Sequence, residues 1–357
     1  MTYEISSFEA HKLTMWYDTH KRSFPWRDTG NPYDIWLSEI MLQQTRIEAV
    51  RPKYLRFKKE IPDIKTLAET DTDRLLYLWE GLGYYSRIRN MHKCAQVLVE
   101  KYDGKLPADY NALLKLPGIG SYTAGAIASI AYGIPVSAVD GNVMRVLARY
   151  FEIGDDVRDP STKKMVESII MNLFSKEHDN SFVSSFNQGL MELGETVCLP
   201  NALPQCNICP WSKTCHAYKN KTIEKYPYRS ALKERKIIHR TIFVIRDGNN
   251  FLLHKRPDHG LLARMYEFPG TDSRLTKEET IQELESMGLT PLKIKELPDS
   301  VHKFTHLEWQ MKAYEVTVGE ISHLSDKMYI LADKKSLSSK ALPSAFSKYI
   351  QWYALRD

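Results

Sequence analysis

Four of the five cysteines lie in one short segment of the chain. Cys198, Cys206, Cys209 and Cys215 follow the pattern C-x7-C-x2-C-x5-C. Because disulfides are rare in the reducing cytosol, where we expect this protein, four soft thiolates so close together predict a metal site. Zinc and an iron-sulfur cluster both fit four cysteine ligands. Zinc ribbons usually contain two CxxC pairs, however, and this segment contains one.

A carboxyl group occupies an otherwise apolar helical stripe near the N-terminus. In the segment PYDIWLSEIMLQQT, Ile35, Glu39 and Leu42 are spaced at i, i+4 and i+7, so they share one face of a helix. Desolvation on that face would raise the pKa of the Glu39 side chain, as a general acid at neutral pH requires. The alternative is an ordinary helical glutamate that points into solvent.

A second carboxyl, that of Asp140, immediately precedes the helical segment GNVMRVLARYF. This position is typical of an N-cap, whose carboxylate accepts hydrogen bonds from backbone N–H groups and stays ionised. An ionised carboxylate can also stabilise a positive charge that develops during a reaction. Glu39 and Asp140, one neutral and one ionised, would form the pair that cleavage of a glycosidic bond requires.

The stretch Leu116-Pro117-Gly118-Ile119-Gly120 separates two helical segments. Gly118 and Gly120 allow a ligand to approach the backbone closely, and the following helix start offers unpaired N–H groups to a DNA phosphate. A plain turn between two helices would also use glycine here. The motif alone leaves both interpretations open.

The elements that must position these groups change character along the chain. Up to about Cys215, apolar residues recur at helical spacing between proline and glycine breaks. Farther on, RTIFVIRDGNNFLLHKRP predicts a β-hairpin, and Thr276 with Glu279 predicts a capped helix that ends at Gly288. We predict a multidomain protein with an all-α domain over 1–215, a basic linker over 216–234 and an α+β domain over 235–357. Within the first domain, a helix-hairpin-helix covers about 108–130 and the cysteine loop covers 198–215.

Length and charge limit the classes of function. A chain of 357 residues with 43% hydrophobic residues can bury two cores. The sequence has no apolar run of about 18 residues and no signal-peptide profile, so we expect a cytoplasmic protein without membrane contact. The net charge of +5 is modest, but Lys219 to Arg240 contains eight basic and two acidic residues. This run could follow a phosphate backbone or be a solvated linker.

Several motifs occur together in the order found in one known family. WLSEIMLQQT, GLGYYSR, LPGIGSYTAGAI, VDGNV, the cysteine loop and FTH resemble the MutY family of adenine DNA glycosylases, which belongs to the helix-hairpin-helix superfamily that includes endonuclease III. The resemblance spans nearly the whole chain. It implies a monofunctional glycosylase that flips out and hydrolytically removes adenine mispaired with 8-oxoguanine or guanine, which initiates base excision repair. It also implies one 4Fe-4S cluster on the four cysteines, and a monomer that binds duplex DNA in the bacterial nucleoid.

The same resemblance assigns roles to individual residues. Glu39 would protonate the flipped-out adenine, and Asp140, supported by Asn142, would stabilise the oxocarbenium ion. The adenine pocket would be lined by Trp26, Arg27, Leu42 and Gln188. Contacts with the rest of the DNA would come from Gln44 and Tyr84 near the mispair, from Gly118 and Gly120, and from the loop Phe304-Thr305-His306, which would inspect the base opposite adenine.

Position 122 separates the monofunctional members of the superfamily from its lyases. Bifunctional relatives have a Schiff-base lysine at this position, whereas this chain has Tyr122. A phenol cannot form an imine with the sugar. We therefore predict base removal with little strand nicking.

The second domain resembles a Nudix-like recognition module, because YEFPG precedes a helix. A hydrolytic Nudix helix binds magnesium through an Arg-Glu pair and a Glu-Glu pair. The corresponding positions here are Ile281-Gln282 and Glu285-Ser286. We therefore expect neither magnesium binding nor nucleotide hydrolysis.

Two positions depart from the family pattern. Seven residues separate Cys198 from Cys206, where six are usual, and Thr305 replaces a common serine. A loop can absorb one extra residue, and threonine keeps the hydroxyl group.

Three other classes of protein share part of this pattern. An endonuclease III type lyase is disfavoured by Tyr122 and by the second domain. A non-catalytic iron-sulfur protein that binds DNA or senses redox state would need the cluster and the hairpin but neither Glu39 nor Asp140. A Nudix hydrolase with a DNA-binding appendage is disfavoured by the altered magnesium helix.

Overall fold

The computed structural model describes residues 3–177, 179–231, 234–319, 321, 326, 328–337 and 339–353. Contacts divide the chain into two units, Met1–Glu69 with Asn90–Ala231 and Thr70–Arg89 with Leu232–Asp357. Residues 70–89 therefore group with the second unit, although segments of the first unit precede and follow them in the sequence. Residues 216–231, which we predicted to be linker, group with the first unit.

Helices form the first unit, and most of them begin at a side chain that caps the backbone. Asn31, Asp140, Asp159 and Asp179 each accept a hydrogen bond from an N–H group of the helix that follows. The helices before the first strand are α1 Ser7–His20, α2 Pro32–Leu42, α3 Ile47–Glu60, α4 Ile64–Glu69, α5 Thr72–Leu78, α6 Ser86–Tyr102, α7 Tyr110–Leu114, α8 Ser121–Ala126, α9 Gly141–Phe151, α10 Pro160–Phe174, α11 Asn180–Thr196 and α12 His216–Lys219. Of these, α5 and the first four residues of α6 group with the second unit. A π-helical turn, Ile127–Ala131, continues α8, and 3-10 turns cover Cys206–Ile208 and Ile223–Lys225.

Helix α9 lies at the centre of the first unit's core and is buried on every side. Val143, Val146, Leu147, Tyr150 and Phe151 recur at helical spacing along one face, and all five are buried. The structure also buries Arg145 and Arg149, which are 4% and 7% exposed. Their guanidinium groups donate to backbone carbonyls, which compensates for the loss of water.

A seven-stranded sheet forms the second unit. Its strands are β1 Lys236–Asp247, β2 Asn250–Lys255, β3 Tyr266–Glu267, β4 Gly270–Thr271, β5 Pro291–Lys303, β6 Leu307–Val318 and β7 Tyr329–Ala332. The order is β3-β2-β1-β6-β5, with β4 paired to β1 and β7 to β2. Strands β1 and β6 are parallel, and the other pairs are antiparallel. The predicted hairpin is confirmed, because Asp247 pairs with Asn250 across a two-residue turn.

Each face of the sheet contributes to a separate hydrophobic cluster. One cluster contains Leu284 of α13 Lys277–Ser286, and the other contains Phe346 and Tyr349 from the C-terminal segment. That segment includes α14 Lys334–Leu337, a 3-10 turn at Ser344–Phe346 and α15 Ser347–Trp352. The predicted capping box of Thr276 and Glu279 is confirmed at the start of α13.

Candidate active site

A cavity of about 970 Å³ opens in the first unit. Its walls come from α2, α8, α9 and α11 and from the segment between α1 and α2. The cavity brings together nine of the residues that the sequence singled out, namely Trp26, Arg27, Glu39, Leu42, Gln44, Tyr122, Asp140, Asn142 and Gln188.

Glu39 projects from α2 into this cavity. Part of its side chain faces the cavity, but the surrounding protein keeps it poorly solvated. Burial raises the pKa of Glu39 to about 7, with a contribution from the negative charge of Asp140, while a hydrogen bond from Tyr122 opposes the rise. The carboxyl is therefore partly protonated at neutral pH, as its place on the apolar stripe suggested.

Tyr122 reaches Glu39 from α8. Its hydroxyl donates a hydrogen bond to Oε2 of Glu39. Burial and the neighbouring carboxyl groups raise the pKa of Tyr122 well above its ordinary value, so the phenol stays protonated. Tyr122 is thus a permanent donor to one oxygen of Glu39.

Asp140 is the N-cap of α9, as its sequence position predicted. Its carboxylate accepts hydrogen bonds from the backbone N of Val143 and from Nδ2 of Asn142, both at 2.8 Å. Burial nevertheless raises the pKa of Asp140, because the hydrogen bonds offset the desolvation only in part. Capping therefore moderates the rise in pKa without reversing it.

Arg145 holds Asn142 in place beneath Asp140. Its Nη2 donates to Oδ1 of Asn142 and to the carbonyl of Gly194, both at 2.8 Å, and its Nε donates to the carbonyl of Cys198. Gly194 permits this arrangement, because a Cβ there would lie 2.6 Å from Cβ of Asn142. A single side chain thus joins the start of α9 to the first cysteine of the cysteine loop.

The other walls of the cavity combine aromatic and paired polar groups. Trp26 stacks on Phe24 with ring centroids 5.1 Å apart. Nη2 of Arg27 donates to Glu192, which is 2% exposed and also pairs with Arg22. The amide oxygen of Gln188 accepts a hydrogen bond from Tyr17 at 2.9 Å, so its Nε2 is oriented toward Ser184.

The predicted DNA contacts of the first unit lie in turns. Gln44 is exposed after α2 and has a φ of 56°. Gly118 needs its positive φ of 74°, and a Cβ there would meet Asn90 at 2.6 Å. Gly120 is the N-cap of α8 and has open space where a Cβ would lie. The hairpin therefore presents the glycine backbone at the start of α8, which leaves room for a ligand.

The four cysteines of the cysteine loop line one small apolar cavity, with Val146, Leu193 and Trp211 among its other walls. Nη1 of Arg149 lies 3.3 Å from Sγ of Cys198. Among the described residues, no group of three or more His, Cys, Asp or Glu side chains is arranged as ligands of a metal ion.

The remaining predicted residues lie in the second unit. Phe304, Thr305 and His306 form the turn between β5 and β6, and Phe304 packs edge-on against Trp309. Thr305 is exposed, and its Oγ1 shares a hydrogen bond of 2.8 Å with the hydroxyl of Tyr84. Tyr84, which the sequence placed near the mispair, has a φ of 43° and a side chain that is largely exposed.

The sequence interpretation missed several residues that support the cavity, including Glu192, Arg145 and Gly194. A signal for Glu192 was present, because Gln188, Glu192 and Glu195 are spaced at i, i+4 and i+7 along α11 and all line the cavity. Arg145 follows Asn142 at i+3 in the same way. The role of Gly194 depends on a neighbour distant in sequence and left no local signal.

The fold and the cavity define a class of DNA repair protein. A family model described as HhH-GPD superfamily base excision DNA repair protein matches residues 37–176, and a NUDIX domain model matches residues 241–352. The solved structure of a thermostable thymine-DNA glycosylase is similar to 59% of this chain and 95% of its own, with 28% identity and a TM-score of 0.52. These matches confirm the predicted helix-hairpin-helix and Nudix-like domains.

Curated relatives narrow the class to one family. The chain is 34% identical over 317 residues to the adenine DNA glycosylase of Buchnera aphidicola subsp. Baizongia pistaciae, covering 88% of this chain and 87% of that one. It is 35% identical to the adenine DNA glycosylase of Buchnera aphidicola subsp. Acyrthosiphon pisum, covering 84% and 83%. The chain belongs to the adenine DNA glycosylase family, which confirms the predicted resemblance.

Proposed function

We propose that this protein acts as a monomer on duplex DNA and removes adenine mispaired with 8-oxoguanine or guanine by hydrolysis of the glycosidic bond. One observation carries the proposal. A carboxyl group with a pKa of about 7, Glu39, lines the same cavity as a second carboxyl group, Asp140. A cavity of about 970 Å³ is large enough to receive a flipped-out nucleotide.

Protonation of the leaving base is the role of Glu39. Its Oε2 accepts the hydrogen bond from Tyr122, so Oε1 is the oxygen that carries the acid proton and delivers it to a ring nitrogen of adenine. Protonated adenine is a better leaving group, and its departure leaves positive charge on the sugar. A general acid with a pKa near the working pH is the most effective donor.

Stabilisation of the sugar cation is the role of Asp140. Hydrogen bonds from Val143 and Asn142 fix its carboxylate at the start of α9 and favour the ionised form. A fixed anion aimed at developing positive charge lowers the barrier without reorganising in the reaction. Water then completes hydrolysis at the sugar carbon.

The absence of strand cleavage follows from Tyr122. The phenol occupies the position beside Glu39 where a lyase would need an amine, and its hydroxyl is committed to the carboxyl. Borohydride should therefore trap no covalent complex between the enzyme and its substrate DNA. Efficient trapping would contradict the monofunctional assignment.

Single-turnover base release from four duplexes tests the proposal. Adenine would be placed opposite 8-oxoguanine, guanine, cytosine or thymine in otherwise identical sequences. We expect release with 8-oxoguanine or guanine as the partner, and much slower release with cytosine or thymine. Release of a base other than adenine, or equal rates with all four partners, would contradict it.

Discrimination of the partner base is the role of the turn Phe304-Thr305-His306. This turn is exposed at one end of the β5–β6 hairpin, and Tyr84 braces it through Thr305. Because Tyr84 and Thr305 share a hydrogen bond, their contributions to binding of the base opposite adenine should depend on each other.

The four cysteines would hold one 4Fe-4S cluster. They line one apolar cavity, and four cysteine thiolates are the usual ligands of such a cluster. When bound, the cluster would supply a structural cross-link for the loop, and proton donation and stabilisation of the sugar cation remain with Glu39 and Asp140.

Iron and sulfide analysis of anaerobically purified protein tests this assignment. We expect about four of each per chain, with loss of both when Cys206 or Cys209 is replaced by serine. Stoichiometric zinc without sulfide would favour the alternative metal.

A further inference from the structure

One cation in the catalytic cavity has no side-chain partner among the residues that the structure describes. Five basic side chains line this cavity, and four are engaged: Arg22 and Arg27 with Glu192, Lys163 with Oγ of Ser121, and Arg145 with backbone carbonyls. The fifth, Arg229, makes neither a hydrogen bond nor an ion pair through its side chain with any residue that the structure describes. An unpaired guanidinium at a cavity wall is available to an anionic ligand.

The backbone on either side of Arg229 is fixed to the first unit. The carbonyl of Tyr228 accepts a hydrogen bond from the backbone N of Val157 at 3.2 Å. The backbone N of Ser230 donates to Oδ2 of Asp156 at 3.1 Å, and the side chain of Arg158 donates to the carbonyl of Ser230. These hydrogen bonds hold the backbone of 228–230 against the turn before α10. The backbone that carries Arg229 to the cavity is therefore fixed on both sides of this residue.

The position of Arg229 also places it at the cavity mouth. It is exposed, and it lines a second cavity of about 740 Å³ beside the cysteine loop as well as the catalytic one. Arg145 also lines both cavities but is buried, whereas the exposed Arg229 lies where the catalytic cavity meets solvent.

The chemistry of a flipped-out nucleotide supplies an anion at this mouth. The base enters the cavity, while the phosphodiester groups on either side of the sugar remain outside with the strand. Guanidinium groups bind phosphate oxygens in pairs, and such contacts fix register without reading sequence. We propose that Arg229 is a positioning residue that binds a phosphodiester of the target strand next to the flipped-out adenosine. This inference rests on the proposed function.

Binding and base release by Arg229→Gln provide the first test. Lys225→Gln is the matched control, because Lys225 is exposed in the same basic run but lines neither cavity. We expect Arg229→Gln to weaken binding of mispaired duplex about tenfold, and to lower the slope of log affinity against log salt by about one. Arg229→Lys should recover part of the loss, and melting temperatures should be unchanged.

Neutral phosphates in the substrate provide the decisive test. A single methylphosphonate would be moved along the target strand, and then along the opposite strand, one linkage at a time. One linkage beside the target adenosine should weaken wild-type binding about tenfold yet leave Arg229→Gln unaffected, because the same contact is already missing. Additive effects at every target-strand linkage, or coupling only on the opposite strand, would overturn the proposal. Release of adenine by the wild type from unmodified duplex tests the proposed function separately, so the two failures can be told apart.

Discussion

Two glutamates of this protein differ in what surrounds them. Glu39, in the catalytic cavity of the first unit, has the neutral hydroxyl of Tyr122 as its hydrogen-bond donor. Glu267, in β3 of the second unit, is 5% exposed and meets three basic side chains. Nη1 of Arg256 contacts both of its oxygens, at 2.9 and 2.7 Å, and Nη1 of Arg240 and Nδ1 of His254 lie 3.4 and 3.3 Å away.

The surroundings move the pKa values of the two carboxyls in opposite directions. Burial raises the pKa of Glu39, and the Tyr122 hydroxyl cannot compensate because it carries no charge. Burial acts in the same direction on Glu267, but the hydrogen bond from His254 and the charges of Arg240 and Arg256 together outweigh it and lower the pKa. A carboxyl buried among cations serves the structure, whereas one buried without them keeps a proton that it can donate.

Replacement of Glu39 by glutamine should give the largest effect. The amide keeps the shape and the bond from Tyr122 but has no acidic proton, so single-turnover adenine release should fall by about 10²–10⁴-fold. Binding of mispaired duplex should persist, because the amide keeps the size and hydrogen-bonding capacity of the side chain and no other residue is changed. The rate of base release measured at saturating enzyme reports the chemical step alone, so a loss of rate can be distinguished from a loss of affinity for the duplex.

Glu267→Gln is the matched control for that variant. It makes the same chemical change at a buried glutamate, and at a temperature where the protein is folded it should leave the single-turnover rate unchanged. Equal losses of rate in both variants would show that the effect of Glu39→Gln is structural. An unchanged rate in Glu39→Gln would remove Glu39 from the mechanism.

The free energy of unfolding should fall more in Glu267→Gln than in Glu39→Gln, the reverse of the order expected for the rate of base release. Glu267→Gln removes the anion that Arg256 contacts and one of the two anions beside the buried Arg240, whose other partner is Asp272, and this should cost about 3 kcal/mol of unfolding free energy. Arg240 also lies over the Trp309 ring, 4.3 Å from its centroid, so the loss should alter the environment of that indole. Urea unfolding followed by tryptophan fluorescence measures both. A cost below about 1 kcal/mol would place Glu267 among weakly coupled surface pairs.

The two glutamates should also give stability opposite dependences on pH. Between the ordinary pKa of 4.5 and about 7, the folded chain binds more proton at Glu39 than the unfolded chain does, so this group's contribution to stability falls as pH rises. The pKa of Glu267 is lowered, so its contribution is present above 4.5 and is lost as pH falls through the folded pKa.

The same titration should control catalysis. Because the proposed proton donor is the acid form of Glu39, base release should decline as pH rises through about 7. Rates and urea midpoints measured from about pH 5 to about pH 9 would show both effects. In Glu39→Gln, the residual rate of base release should no longer decline as pH rises through about 7. The free energy of unfolding should no longer fall between pH 4.5 and about 7. A decline retained in Glu39→Gln would assign the titration to another group.

The contrast between the two glutamates also shows how far the sequence could predict the site. Glu39 and Asp140 could be found because each has a local signal, Glu39 as a carboxyl on an apolar stripe and Asp140 as an acidic residue at a typical N-cap position. The partners of Glu267 could not be found, because Arg240, His254 and Arg256 meet it only through the pairing of β1, β2 and β3. Arg229 was visible as a charge in a basic run, but its place at the cavity depends on long-range bonds to 156–158.

A smaller effect is expected at Thr305, because its hydrogen bond with Tyr84 is exposed, whereas the hydrogen bonds of Glu39 and Glu267 are at least partly buried. Water can replace a lost partner there, so Thr305→Val should cost about 1 kcal/mol, several-fold in affinity for duplex with adenine opposite 8-oxoguanine. Thr305→Ser keeps the hydroxyl and should bind like the wild type, which makes it the control for the methyl group.

If Tyr84 acts through its hydrogen bond with Thr305, Tyr84→Phe should weaken binding as much as Thr305→Val, and the double variant should lose no more affinity than either single variant. Additive losses in the double variant would mean that Thr305 and Tyr84 contact the DNA independently.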